Sequence, residues 1–247
     1  MRIMKEILDK IDKLHSRINQ MRPLEKETLA SLRNYYKIGL TWSSNALEGN
    51  TLTESETKVV IEDGLTIGGK PLKDHFEASG HADAFDEVIR LSQKADITEI
   101  DILKLHRLFF LKIDDKNAGA YRTKTVFISG SHYPLPSPER VPALMKEFTD
   151  LVSCSRKTEH PVIAAAKAHL QFVFIHPFVD GNGRVARLLM NLILLQQGYQ
   201  IAIVPPVLRG EYIASIEAAH KDETDFIKLI CRSVYETQKD YLRMLNG

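Results

Sequence analysis

The sequence predicts a mainly α-helical bundle with one short β-hairpin. Three observations carry that reading. Apolar residues recur at spacings of three and four through most of the chain, helix start and stop signals bound those runs, and a single stretch has β character. From Ile3 onward, Ile7, Ile11, Leu14, Ile18 and Met21 fall on one stripe of a first helix. That stripe packs either on the chain's own body or against another molecule, as a homodimer or partner contact. Arg22-Pro23 ends the run, and a second helix is expected from about Leu24 to Leu47, stopped at Glu48-Gly49-Asn50 by a glycine suited to a left-handed cap. Thr53 with Glu56 forms a capping box for a third helix, which ends near Asp63-Gly64 before the break at Gly68-Gly69-Lys70-Pro71.

Phe76, Ala84, Phe85, Val88 and Leu91 suit a helix over Leu72 to Gln93. Thr98 to Leu111 reads as the next, with Ile100, Leu103, Leu108 and Leu111 available to the core. Thr123 to Tyr133 is the hairpin: Thr125, Val126, Phe127 and Ile128 are strand formers, followed by Ser129-Gly130-Ser131 and prolines. Ser137-Pro138 launches a helix to about Cys154, and Glu159-His160-Pro161 one to about Ile175. Arg184 to Gln197 is apolar enough to be central and is capped by Gly198, and a last helix starts at Asp222 or Thr224 and runs to about Leu245. The organisation expected is an N-terminal helical region over 1–50 and a core over 51–247.

Composition narrows the function classes. The 33 basic and 32 acidic side chains leave a formal charge of +1, so no field of one sign draws in a nucleic-acid backbone or an acidic membrane. Cys154 and Cys231 have neither metal-type nor redox-type spacing, which suits a reducing compartment and makes the cytoplasm the expected location. Residues Met1 to Ile7 alternate apolar with charged side chains, so neither a signal peptide nor a spanning segment is expected there. The chain has no Walker-type glycine-lysine-serine/threonine run, which argues against a P-loop ATPase.

Reactive side chains concentrate in one segment, His176-Pro177-Phe178-Val179-Asp180-Gly181-Asn182-Gly183-Arg184-Val185-Ala186-Arg187. Gly181 and Gly183 flank Asn182 just before a helix, so backbone N–H groups can converge at a positive helix end and make an anion site. Arg184 and Arg187, three apart, add fixed positive charge there. Cations at a helix N-terminus oppose its dipole, which argues for an anionic guest such as a di- or triphosphate. Asp180 is a hard oxygen ligand, and Mg²⁺ is commonly held by one or two carboxylates plus the substrate's phosphates. His176 could take a proton from an attacking hydroxyl. Phe178 and Val179 would point into the core and hold the loop still.

This segment resembles the signature of the Fic family, His-x-Phe-x-Asp/Glu-Gly-Asn-Gly-Arg-x-x-Arg, at every specified position. The similarity extends to Gly119-Ala120-Tyr121-Arg122 and covers roughly Leu24 to the last helix. The resemblance implies the Fic fold and transfer of AMP from MgATP to a serine, threonine or tyrosine hydroxyl of a target protein. It makes His176 the general base, Asp180 the metal ligand, and Gly181, Asn182 and Gly183 the phosphate cradle, with Arg184 and Arg187 on the outer phosphates. It makes Thr125 to Ile128 part of a flap that aligns an extended target segment by strand addition. Tyr212 and His220 fall where similar proteins contact the nucleoside, although the family pattern leads one to expect asparagine in place of His220. Alternatives on the same fold are a kinase, a phosphocholine-type transferase, or a non-catalytic nucleotide-binding module.

Ser44-Asn45-Ala46-Leu47-Glu48-Gly49 resembles the inhibitory motif of many Fic proteins, Ser/Thr-x-x-x-Glu-Gly/Asn. A glutamate reaching Arg187 would occupy the arginine meant for the γ-phosphate, and Ser44, four residues earlier on the same helical face, could fix it. The plainer reading is that Glu48 merely closes a helix. The same carboxylate could also activate water to remove AMP from a modified target, a second activity to be tested beside the first.

Overall fold

The computed structural model describes residues 2–246; Met1, Gly247 and the side chains of Arg2 and Ile3 lie outside the described residues, and with them those parts of the N-terminal reading. Among the described residues ten α-helices follow one another: α1 (Arg2–Gln20), α2 (Lys26–Leu47), α3 (Glu54–Glu62), α4 (Leu72–Leu91), α5 (Glu99–Phe110), α6 (Val141–Thr158), α7 (Pro161–Ile175), α8 (Asn182–Gln196), α9 (Arg209–Ala218) and α10 (Thr224–Asn246). Local signals set many of these starts. Thr53 and Glu56 exchange hydrogen bonds at the head of α3, and Thr98 and Asp101 do the same for α5. At α7, Pro161 stands in the first turn and the His160 ring accepts the Val162 N–H at 3.2 Å.

The core gathers around α8, whose residues from Val185 to Leu194 are all buried. α7, α4, α5 and α2 pack around it, α6 and α10 cover α7, and α3 lies against α2 and α4. The N-terminal stripe is used within the chain: α1 packs along α10, with Ile11 and Ile18 fully buried. Burying each such side chain contributes about 1.5–3 kcal/mol, and Asp12, bonded to His160 and Tyr199, adds to what holds α1 down.

Four expectations need correction. No strand occurs among the described residues, and 123–133 is an irregular loop with a turn closed by Ser131 N–H to Ile128 O at 3.2 Å. Two short strands with no third partner are marginal in water, and Phe127 is 91% exposed with nothing in the chain to cover it. The central helix begins at Asn182, not Arg184, because Gly181 at φ 80° already serves as its N-cap. Ile100 is 76% exposed and Leu111 is exposed too; the buried face of α5 is set by Ile102, Leu105 and Phe109 instead. Finally, α9 is a helix that the apolar pattern does not announce, since only Tyr212 and Ser215 on it are buried and its pattern has little periodicity.

Candidate active site

The loop between α7 and α8 is held in shape by its own side chains. His176 caps α7 in the left-handed region (φ 50°, ψ 60°), a conformation that side chains other than glycine rarely adopt. It is held there at both ends: its N–H donates to Phe172 O at 3.0 Å, and its carbonyl accepts from Arg122 Nε at 2.7 Å. Asn182 closes the loop, since its Oδ1 accepts the Phe178 N–H and its Nδ2 donates to Phe178 O, both at 2.9 Å. Its side chain is therefore structural, and only its backbone is left for a ligand. Gly181 is needed for its φ and for space, because a Cβ there would come within 2.9 Å of the Phe109 ring.

His106 on α5 supports the same loop from below. Its ring stacks on Phe178 with centroids 3.7 Å apart. The Gly119 N–H donates to its Nδ1 at 2.9 Å, which leaves Nε2 to donate to the Asp180 carbonyl at 3.1 Å. Burial lowers the His106 pKa to about 4, so it stays a neutral hydrogen-bonding spacer. Arg122, buried, ties the loop to both ends of the 123–136 segment: besides His176 O, its guanidinium donates to Lys124 O at 3.3 Å and Pro136 O at 2.7 Å.

Burial also lowers the His176 pKa to about 4, with Arg122 pushing the same way against the Val173 carbonyl, Glu48 and Asp180. The imidazole is neutral at pH 7 and can accept a proton. Asp180 points outward with half its side chain exposed; its Oδ1 accepts the Gly181 N–H at 2.6 Å and lies 3.5 Å from Arg184 Nη2. Among the described residues no three His, Cys, Asp or Glu side chains are grouped to hold a metal ion. A single outward carboxylate fits a Mg²⁺ whose other ligands are phosphates and water.

Arg187 is buried, and four hydrogen bonds hold it. Nε donates to Ser44 Oγ (2.9 Å), Nη1 to Tyr212 Oη (3.0 Å), and Nη2 to both Ser44 O and Glu48 Oε1 (2.8 Å each). Glu48, just past the end of α2, lays its carboxylate over Gly183 so closely that a Cβ there would collide with Oε1. Its pKa is nevertheless lowered: burial raises it, but Arg187, Arg184 and Arg209 outweigh that. A carboxylate thus sits where the first turn of α8 and two guanidinium groups make an anion site. The structure brings Glu48 onto Arg187 as the spacing suggested, while Ser44, expected to fix the glutamate, bonds Arg187 instead through both its hydroxyl and its carbonyl.

The two nucleoside candidates, Tyr212 and His220, both have partners within the chain. Tyr212 is buried, with its hydroxyl between Arg187 and His169 Nε2 (2.8 Å), so it braces the arginine. The His220 ring lies between Tyr133 of the 123–133 segment and Phe174 of α7, at 3.8 and 3.9 Å. Sequence reasoning missed His106, Arg122 as a staple, and Glu77, a buried carboxylate 2.8 Å from Arg184 Nη1. For His106 and Glu77 the signal available was a polar side chain on an otherwise apolar helix face, and for Arg122 its place in Gly119-Ala120-Tyr121-Arg122.

The Fic/DOC family model matches residues 96–194. The protein adenylyltransferase Fic of Nematostella vectensis is 36% identical over 241 residues, covering 96% of this chain and 56% of that protein. The protein of the same name in Drosophila melanogaster is 35% identical, covering 95% and 46%. The chain spans about half the length of the curated relatives it matches. Among solved structures, a segment of C. elegans Fic-1 matches with a TM-score of 0.90 at 31% identity, covering 99% of this chain and 73% of that one. A Fic domain containing signaling protein from Bacteroides thetaiotaomicron matches at 0.89 and 28%, covering 96% and 98%.

Proposed function

We propose, on the premise that this chain belongs to the Fic/DOC family, that it transfers AMP from MgATP to a hydroxyl of a target protein and that Glu48 restrains the reaction. The observation that carries the reading is the Glu48 carboxylate lying on Arg187 and against Gly183, in an anion site at the head of α8 one short loop away from His176. In the reaction, the His176 ring accepts the proton of the target hydroxyl. The freed oxygen attacks the α-phosphorus, the bond from that phosphorus to the α–β bridging oxygen breaks, and pyrophosphate leaves. Backbone N–H groups of the first turn of α8, with Arg184 and Arg187, hold the phosphates and stabilise developing charge. Asp180 would hold Mg²⁺, which neutralises charge on the phosphates when bound.

With Glu48 on Arg187, the outer phosphate loses its cation and meets a negative charge, so ATP binds out of line. The 123–136 segment, anchored near both ends by Arg122 and carrying exposed Phe127 and Ile128, would receive the target backbone along 123–133, which becomes a strand only when it does so. Removal of AMP is a second reading, favoured by Glu48 and Asp180 both lying within electrostatic reach of His176. The free thiols of Cys154 and Cys231 suit a reducing cytoplasm. Incubating the protein, Glu48→Gly and Glu48→Gly/His176→Ala with ATP labelled at the α- or the γ-phosphate tests the main reading. α-label on the single variant alone supports transfer, base and brake together, whereas γ-label alone means a kinase. No label from either leaves a nucleotide-binding module.

A further inference from the structure

Arg184 and Arg187 are tied to different carboxylates, and only one of these belongs to the brake. Arg187 meets Glu48, which lies at the mouth of the site. Arg184 meets Glu77 of α4 at 2.8 Å, and both side chains are about 95% buried. The Arg184 guanidinium stacks on the Phe109 ring at 4.5 Å, its Nη2 is 3.5 Å from Asp180, and its buried Nε has no hydrogen-bond partner within the chain. One edge of the guanidinium is thus fastened to the fold while the rest faces the loop.

The other oxygen of Glu77 does a second job. Its Oε2 accepts the side-chain amide of Asn50 at 2.9 Å, and Asn50 follows Glu48-Gly49 directly. The same amide reaches Asp74 O at 3.1 Å, Asn50 Oδ1 accepts the Leu52 N–H at 3.0 Å, and its own N–H donates to Asn45 O at 3.1 Å. Thr51 adds two hydrogen bonds to Asp74, at 2.8 Å from its N–H and 2.7 Å from its hydroxyl. The end of α2 is thereby stitched to α4 at the residue that holds Arg184.

We propose that Glu77 is a positioning residue for Arg184 and that, through Asn50, it also anchors the last turn of α2, so that the brake and the phosphate-facing arginine share one support. The proposal rests on the reading that Arg184 faces the outer phosphates. It explains why a buried glutamate stands beside a site meant for anions: a carboxylate there weakens anion binding unless it fixes the geometry of a cation that would otherwise swing away.

Binding measures this without turnover. With Glu48→Gly/His176→Ala as the parent, calorimetry gives the affinities for MgATP and for AMP. Glu77→Gln should lower the preference for MgATP over AMP about tenfold and leave AMP binding unchanged. Arg184→Gln should do the same, and the double variant should lose no more than either alone. If Glu77 merely offsets charge, its removal would instead strengthen MgATP binding. That result, an unchanged preference, or losses that multiply in the double variant would overturn the positioning role. Should Glu77→Gln leave Arg184 unmatched and unfold the protein, Glu77→Asp, one methylene short, carries the same prediction. The anchor is read with Glu48 in place: Asn50→Ala should tighten MgATP about threefold by loosening the brake, and no change would overturn it. Because no step needs transfer, failure here is separable from failure of the labelling experiment.

Discussion

Replacing Glu48 by glutamine keeps the shape of the brake and removes its charge, and the structure assigns that change two effects of opposite sign. Without nucleotide, the variant should be less stable than the parent. Arg187 is 2% exposed and Glu48 is its one anionic partner; Ser44 and Tyr212 supply neutral acceptors only. Breaking a buried pair from one side costs about 3–5 kcal/mol. Glu48 keeps 35% of its side chain open to solvent and a glutamine oxygen can still accept one hydrogen bond, which reduces the expected loss to about 2 kcal/mol. For a chain of this size that lowers the melting temperature by about 4–8 °C. MgATP should then raise the melting temperature of the variant more than that of the parent, because an outer phosphate can now take the place of the carboxylate on Arg187. Thermal melts of both proteins with and without saturating MgATP make the comparison. Equal melting temperatures without nucleotide, or equal increments with it, would refute the argument that one guanidinium is contested by brake and substrate. The depressed Glu48 pKa adds a condition: its share of the pairing is kept above the usual carboxylate range and lost only as the pH falls below it, so mild acid does not lift the brake.

Three further outcomes follow from the same geometry. Gly183→Ala places a methyl against Glu48 Oε1 and 3.2 Å from Arg187 Nη1, where a phosphate must also come; in the Glu48→Gly background it should weaken MgATP binding about tenfold by calorimetry, and full affinity would count against the cradle. His81, His106 and His176 are held neutral by burial, with pKa values of about 3, 4 and 4; the unfolded chain therefore binds more protons below about pH 6.5, and each histidine should remove about 1.4 kcal/mol of stability per pH unit down to its folded value. Denaturant midpoints that stay level between pH 7.5 and 5.5 would contradict this. Phe127→Ser, at a side chain in open solvent, should leave stability within about 0.5 kcal/mol and MgATP affinity unchanged while cutting transfer to a separate target protein about tenfold, measured as α-label on the target; undiminished labelling would remove the 123–133 segment from target recognition.

Much of this protein can be read from short stretches of sequence, because the forces that shape those stretches are local. The capping box at Thr53, Pro161 in the first turn of α7 and the stripe from Ile7 to Ile18 each declare a helix within a few residues, and the segment from His176 to Arg187 brings its base, carboxylate, glycines and arginines within one turn and one loop. Helical spacing also placed Ser44 beneath Glu48. What spacing cannot state is which side chain satisfies a charge far along the chain. That Arg184 answers to Glu77, more than a hundred positions earlier, and that Tyr212 braces Arg187 instead of lying open both follow from packing α4, α8 and α9 together. The hairpin reading failed for a related reason: strand formers at 125–128 need a partner backbone, and the fold supplies none. The sequence determined the helices and the reactive side chains of the loop, since helical hydrogen bonds close within a few residues and those side chains are contiguous; the tertiary structure decided how Arg122 and His106 hold that loop and which buried charges pair, since those partners become neighbours only once the helices have packed and water has been excluded.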